Sequence, residues 1–124
     1  MPNPFVYVQL QTPDITRSKD FYAAIFEWQF EDTSNAQVAY LELQVGDGTS
    51  GGMLLVVDEQ RQATWVPYIL VDDIIEVVRT AESLDAVARQ PLTEIPGQRW
   101  YAVLQDPSGA IFAVMQPIKT PIGE

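Results

Sequence analysis

Alternating hydrophobic and polar side chains mark the first strand of this chain, Phe5–Gln11. Val8 and Leu10 fall on one side of this strand, and Tyr7 and Gln9 fall on the other. Alternation of this kind is typical of a strand that has one face on a core. We therefore predict that a helix covers Val8 and Leu10, while Tyr7 and Gln9 point to the opposite face of the sheet.

A helix is predicted over residues 15–26, directly after the capping residue Asp14. The apolar stripe of this helix, which we expect to face the core, comprises Ile15, Phe21, Tyr22, Ile25 and Phe26. Three further strands are predicted at 28–30, 38–45 and 53–57, with a glycine-rich loop at 46–52 and a polar linker at 58–64.

The second half of the chain repeats this order. A shift of 59 residues places Asp14 on Asp73, the predicted cap of a second helix over residues 74–86. Its strands are predicted at 65–71, 87–92, 100–105 and 110–116, with a tight turn at Asp106–Gly109 and a loose tail. One such unit leaves its sheet half exposed, so two units are expected to pair within an α+β fold.

Composition excludes several classes of function. Seven basic against seventeen acidic residues give a net charge of −10, which argues against nucleic acid and anionic membranes as partners. The 124 residues include no histidine and no cysteine, so histidine triads, thiolate chemistry and Cys/His zinc sites are ruled out. With no long apolar run and no basic leader, we expect a cytoplasmic protein.

Short motifs spread over the chain resemble the vicinal oxygen chelate superfamily, the glyoxalase and bleomycin-resistance group. These motifs are Pro13-Asp14, Arg17–Tyr22, Phe26–Trp28, Gly51-Gly52, Tyr68, Val71–Asp73 and Asp106–Gly109. The resemblance implies two tandem βαβββ modules that form one curved, mostly antiparallel eight-stranded sheet with helices on its outer face. It predicts a single domain over residues 1–124, with modules at about 4–58 and 64–117 and a loose tail at 118–124.

The resemblance also implies a ligand site in the hollow inner face of the sheet. Metal-dependent members bind a divalent ion there through four His, Glu or Gln side chains. The matching positions in this chain are Tyr7, Leu54 (Met53 if the register slips), Val66 and Ala113. Aliphatic side chains offer no suitable lone pair, and a neutral phenol is a poor ligand. We therefore expect no metal and no cofactor.

Side chains predicted to line the hollow follow from strand parity. If Asp106–Gly109 is a four-residue turn, Ala102 pairs with Ala113, and Trp100 then shares its face; a slip of one residue would exchange Trp100 for Tyr101. The predicted ligand contacts are Tyr7, Gln9, Tyr40, Met53, Val66, Tyr68, Trp100, Ala113 and Met115. The competing interpretation is that these side chains fill the hollow by packing on one another.

Charged residues receive more modest roles. Glu42 is the one carboxylate within a central strand, and we expect it to be exposed rather than to act as a base. Arg99 is expected to be a solvated residue in a turn, and Asp72-Asp73 is expected to cap a helix.

Three functions remain open at this stage. The leading hypothesis is a metal-free binding protein, not an enzyme, that sequesters or senses a small aromatic or cationic molecule and forms a homodimer. The second is a lyase, isomerase or dioxygenase-like enzyme with an atypical or absent metal site. The third is a dimeric interaction module with a filled hollow.

Overall fold

The computed structural model describes residues 3–57 and 62–118. Part of the predicted linker, residues 58–61, and the predicted loose tail from residue 119 onward lie outside the described residues. No helix in the described part of the chain is long and apolar enough to cross a membrane.

Eight strands and two helices follow one another in the order expected from the repeat. The elements of the first half are β1 Phe5–Thr12, α1 Ile15–Ile25, β2 Gln29–Asp32, β3 Tyr40–Gln44 and β4 Ser50–Leu55. The elements of the second half are β5 Thr64–Leu70, α2 Ile74–Ser83, β6 Val87–Ile95, β7 Arg99–Gln105 and β8 Ile111–Pro117. The α+β fold class and the twofold strand–helix–three-strand order are confirmed.

The chain divides into two compact units. The first unit is Val6–Pro67, and the second combines the residues up to Phe5 with the chain from Tyr68 onward. Hydrogen-bonded neighbours in the eight-stranded sheet follow the order β2-β3-β4-β1-β5 in the first unit and β5-β8-β7-β6 in the second. Strands β1 and β4 pair in parallel, as do β5 and β8, whereas the pairs β2–β3, β3–β4, β6–β7 and β7–β8 are antiparallel.

Both helices begin in the same way. The Asp14 carboxylate accepts a hydrogen bond from the Arg17 backbone N–H at 3.0 Å, and the Asp73 carboxylate accepts one from the Glu76 N–H at 3.1 Å. A side-chain acceptor at this position satisfies a backbone donor that has no partner inside the helix. The prediction that both aspartates are helix caps is confirmed.

Each helix covers one face of its own strands. In the first unit, Ile15 and Tyr22 pack against the buried side chains of Leu10, Leu43 and Met53. In the second unit, Val77, Val78 and Ala81 pack against a buried cluster; its members are Val71, Ile74, Ala102, Leu104 and Val114. Helix packing on one side leaves the opposite face of each group of strands as the place where a site can form.

The predicted inward stripe of α1 is partly wrong. Ile15 and Tyr22 reach the core, but Phe21, Ile25 and Phe26 are 57%, 53% and 47% exposed. Tyr22 contacts both indoles, lying 5.7 Å from the Trp28 ring and 5.4 Å from the Trp65 ring, and Phe26, at the C-cap of the helix, packs 4.8 Å from the Trp28 ring. Tyr22 is therefore the aromatic residue of α1 that packs on the core, while Phe26 contacts Trp28 from a partly exposed position.

Candidate functional site

A chain of polar side chains crosses the face of the first unit that is opposite α1. The hydroxyl oxygens of Tyr7 and Tyr40 lie 2.5 Å apart, and Tyr7 donates to Glu42 Oε1 at 3.2 Å. Gln9 Nε2 donates to the Tyr40 hydroxyl at 3.1 Å, and Gln11 Nε2 donates to Gln9 Oε1 at 3.0 Å. We call these five side chains the polar network and their side of the sheet the network face.

Strand register explains why these side chains meet. Gln9 of β1 lies beside Gly52 of β4, and Gly52 lies opposite Glu42 of β3. Residues that are directly opposite on paired strands point to the same face. Tyr40 and Gln11 both lie beside Leu54, one step farther along the same face.

The hydroxyl groups of Tyr7 and Tyr40 meet directly over the Cα of Gly52, where any other residue would have a side chain. A Cβ atom added at Gly52 would collide with the hydroxyl groups of both Tyr7 and Tyr40. The strand is therefore required to have no side chain at this position. Gly51 is also confined, because its Cβ would lie 3.0 Å from the Val8 carbonyl oxygen. These contacts explain why both glycines belong to β4 and not to the loop that the sequence predicted at 46–52.

Tyr7 remains a protonated donor. Burial, above all, raises the pKa of the Tyr7 hydroxyl far above its ordinary value, and the neighbouring Tyr40 and Glu42 raise it further. Removing the proton would place a phenolate next to a carboxylate in a partly desolvated position, which is unfavourable for both charges. At neutral pH Tyr7 is thus protonated and donates its hydrogen bond within the network.

The corresponding face of the second unit is aromatic and aliphatic. Tyr68 of β5 lies beside Ala113 of β8, which lies opposite Val103 of β7. Met115 lies opposite Tyr101, and the Tyr101 ring is 6.4 Å from the Tyr68 ring at an interplanar angle of 43°. The structure therefore brings three of the predicted ligand contacts, Tyr68, Ala113 and Met115, onto one face.

Trp100 lies on the other side of the sheet, which corrects the predicted face. Ala113 pairs with Val103, not with Ala102, and Trp100 packs on the helix-side core of the second unit. The cause is the loop after β7. Asp106 N–H donates to the Ala110 carbonyl at 2.8 Å, Gly109 N–H donates to the Asp106 carbonyl, and Gly109 has φ +101°. The loop therefore covers residues 106–110, one residue more than the predicted turn, because the left-handed Gly109 forms a bulge before β8.

Met53 also lies on the helix side. It is fully buried and packs with Leu10 and Leu43 in the core beneath α1, so the predicted placement of Met53 on the face of the site is wrong. Leu54 lies on the predicted face, but it does not occupy the position in the strand pairing that would match Ala113 of the second unit. Gly52 lies beside Gln9 as Ala113 lies beside Tyr68, which makes Gly52 the counterpart of Ala113.

Two members of the network, Glu42 and Gln11, were not among the predicted ligand contacts. Glu42 was expected to be exposed, yet it is half-buried and accepts the Tyr7 hydrogen bond. Gln11 is 5% exposed and supports Gln9. The shared parity of Tyr40 and Glu42 on β3 predicts that both lie on one face, but it does not predict that Glu42 is half-buried there. Arg99, expected in a turn, begins β7 and is half-buried.

Comparison with known proteins identifies the family. Residues 5–114 match the family model of the Glyoxalase/Bleomycin resistance protein/Dioxygenase superfamily. The chain belongs to this superfamily. A search of curated proteins found no significant match.

Solved structures with a similar fold cover nearly the whole chain. A hypothetical protein from Bacillus halodurans has 14% identity and a TM-score of 0.68 over 97% of this chain and 98% of that chain. Methylmalonyl-CoA epimerase from Mycobacterium tuberculosis has 12% identity and a TM-score of 0.65 over 93% and 88%. A protein from Staphylococcus aureus has 18% identity and a TM-score of 0.62 over 95% and 100%. At these identities the likeness concerns the fold.

The residues at the metal-ligand positions of the glyoxalase/bleomycin-resistance fold do not fit a divalent ion. Val66 and Ala113 are fully buried hydrocarbon side chains, and neither Leu54 nor its register counterpart Gly52 offers a lone pair on its side chain. Tyr7, the one oxygen of the set, donates its proton to Glu42. Divalent ions require carboxylate, imidazole, thiolate or carbonyl donors, so no step through a metal is derived for this chain.

Proposed function

We propose that this protein binds a small organic molecule on the network face without a metal ion, as a sequestration or sensing protein. The observation that carries the proposal is the polar network itself. Tyr7 and Tyr40 meet over Gly52, the counterpart of a position where metal-dependent relatives place a ligand. The two phenols and the Glu42 carboxylate are half-buried and offer a ligand both aromatic surface and fixed hydrogen-bonding groups, while the buried amides of Gln9 and Gln11 hold Tyr40 from below.

The second unit supports the proposal with a different surface. Its face carries the half-buried side chains of Tyr101 and Met115, packed beside the buried Tyr68. Aromatic and thioether side chains suit flat or apolar molecules. The homodimer and the cytoplasmic location expected from the sequence stay predictions; sedimentation of the purified protein measures the first.

The experiment is a thermal-shift screen of small aromatic and amphipathic molecules, run before and after exhaustive dialysis against EDTA. We expect the shifts to survive dialysis, and we expect Tyr40→Phe to reduce them, because it removes the hydroxyl that joins Gln9 to Tyr7. Phe21→Leu, on the exposed side of α1, is the control and should leave them unchanged.

Two results would contradict the proposal. Absence of any shift over a broad panel would exclude ligand binding of this kind. Stoichiometric iron, manganese, nickel or zinc in the purified protein, with binding lost on its removal, would exclude a metal-free site.

A metal-independent enzyme is the second candidate, and Glu42 is the observation that favours it. Glu42 is half-buried and oriented by Tyr7, and a carboxylate in such a position can act as a general base. Exchange of solvent deuterium into a bound carbonyl compound, lost in Glu42→Gln, would favour the enzyme over the binding protein.

A further inference from the structure

Hydrogen-bond direction in the polar network leads to Glu42. A tyrosine hydroxyl has a single proton, and that of Tyr7 is donated to Glu42. In the 2.5 Å contact between the phenols, Tyr40 is therefore the donor and Tyr7 the acceptor. Gln9 in turn donates to Tyr40. The bonds run from Gln9 through Tyr40 and Tyr7 to the carboxylate, so the network ends in an anionic acceptor.

The carboxylate retains capacity to accept further hydrogen bonds. Among the contacts of the described residues, the hydrogen bond to Glu42 goes to Oε1, and an ionised carboxylate has about four acceptor positions on its two oxygens. A ligand that approaches this end of the network therefore meets an acceptor and not a donor.

Within the described part of the first unit, the charged residue paired with Glu42 is another carboxylate. Glu31 of β2 lies directly opposite Glu42 in the pairing of β2 with β3, and like charges at such positions repel each other. In residues 6–57 and 62–67 the cationic side chains are Arg17 and Lys19, and both belong to α1, which packs on the other face. The Lys19 ammonium lies over the Phe30 ring, 6.0 Å from its centre.

From this arrangement we infer that the ligand of the network face is an organic cation, a protonated amine with an apolar body, whose charged nitrogen pairs with Glu42. The inference rests on the proposed function and names its ligand class. A cation donates to the carboxylate, relieves the repulsion between Glu42 and Glu31, and gains from contact with aromatic rings. A neutral ligand neither pairs with the carboxylate nor relieves the repulsion between the two glutamates, and an anion is repelled by both.

The test compares two probes that differ in one group, phenethylammonium and phenethyl alcohol, by calorimetric titration at low salt. We expect the ammonium to bind about tenfold more tightly than the alcohol, the effect of one partly screened charge pair. Glu42→Gln should reduce its affinity to that of the alcohol, and Glu31→Gln should reduce it by a smaller factor. Glu27→Gln removes the same charge from an exposed position after α1 and should change the affinity little.

The outcomes separate this inference from the proposed function. If the alcohol binds wild-type protein as tightly as the ammonium, the cation class is wrong while small-molecule binding stands. If Glu27→Gln weakens the ammonium as much as Glu42→Gln does, general charge and not Glu42 explains the preference, and the inference is again wrong. If neither probe binds and the aromatic panel gives no thermal shift, the proposed function itself fails. The probe comparison uses wild-type protein, so it does not depend on the folding of any variant.

Discussion

The two units use one scaffold and differ on one face. Each has an aspartate-capped helix over an apolar core, and each places the first strand of its half in parallel beside the last. At matched positions, however, the first unit has Gln9 beside Gly52, and the second has Tyr68 beside Ala113. The helix side is apolar in both units, whereas the opposite face is a polar network in one and an aromatic surface in the other.

This comparison separates residues that hold the fold from residues that define the site. Leu10 and Met53 in the first unit, like Leu104 and Val114 in the second, are at most 4% exposed beneath a helix. Their chemistry is fixed by burial. The opposite faces are buried at matched positions too, since Gln9 is 6% and Tyr68 4% exposed. A buried polar side chain is accepted there where it has hydrogen-bond partners, as Gln9 has in Tyr40 and Gln11, so the two faces can differ while the strand order stays the same.

The largest effect is expected from truncation on the helix side. Met53→Ala should lower the free energy of unfolding by about 2–5 kcal/mol, since it leaves a cavity in a packed core. Leu54→Ala, one residue later but on the network face and only half-buried, should cost less than half as much. Urea unfolding of both variants measures the difference. Equal losses would contradict the placement of these two residues on opposite faces.

A smaller effect is expected from exchanging the matched small residues. Gly52→Ala places a methyl group against both phenols and should cost about 1–3 kcal/mol, because the tyrosine ends must move apart. Ala113→Gly, at the counterpart position, should cost about 1 kcal/mol from added backbone freedom and a small void. Of these two substitutions, only Gly52→Ala should lower the pKa of Tyr7. Ultraviolet absorbance measures the ionisation of tyrosine. A Gly52→Ala protein in which Tyr7 resists ionisation as before would show that the glycine does not hold the network together.

Features set by local chemistry were predictable from the sequence. The helix starts at Asp14 and Asp73 follow from side-chain capping, and the face of Tyr7 and Gln9 follows from alternation along β1. Both depend on residues close together in the chain. The repeat of element order could be found for the same reason, because each half contains its own turn and cap signals.

Features set by pairing between strands could not be predicted. The face of Trp100 depends on whether the loop after β7 contains a left-handed Gly109, and one residue more or less moves every side chain of β7 to the other face. The same holds for β4, where Gly51 and Gly52 pair with β1 although their composition indicates a loop. Glu42 was misjudged because its partner Tyr7 is 35 residues away in the chain.

The smallest predicted effect is a loss of stability at alkaline pH that comes from Tyr7 in the first unit. A tyrosine of the unfolded chain ionises near pH 10, while the pKa of Tyr7 in the folded protein is raised by burial and by its neighbours. Its contribution to stability is therefore complete below pH 10 and is lost as the pH rises above that value. In wild-type protein, ionisation of Tyr7 should lower the free energy of unfolding by up to about 1 kcal/mol per pH unit above pH 10, a value reduced because the ring is only partly buried.

Tyr7→Phe should remove that decline. The free energies of unfolding of wild type and variant, which differ at pH 7 by the lost hydrogen bond, should therefore converge between about pH 10 and 11.5. Curves that stay parallel in urea titrations over this range would show that Tyr7 is no harder to ionise than a tyrosine in water.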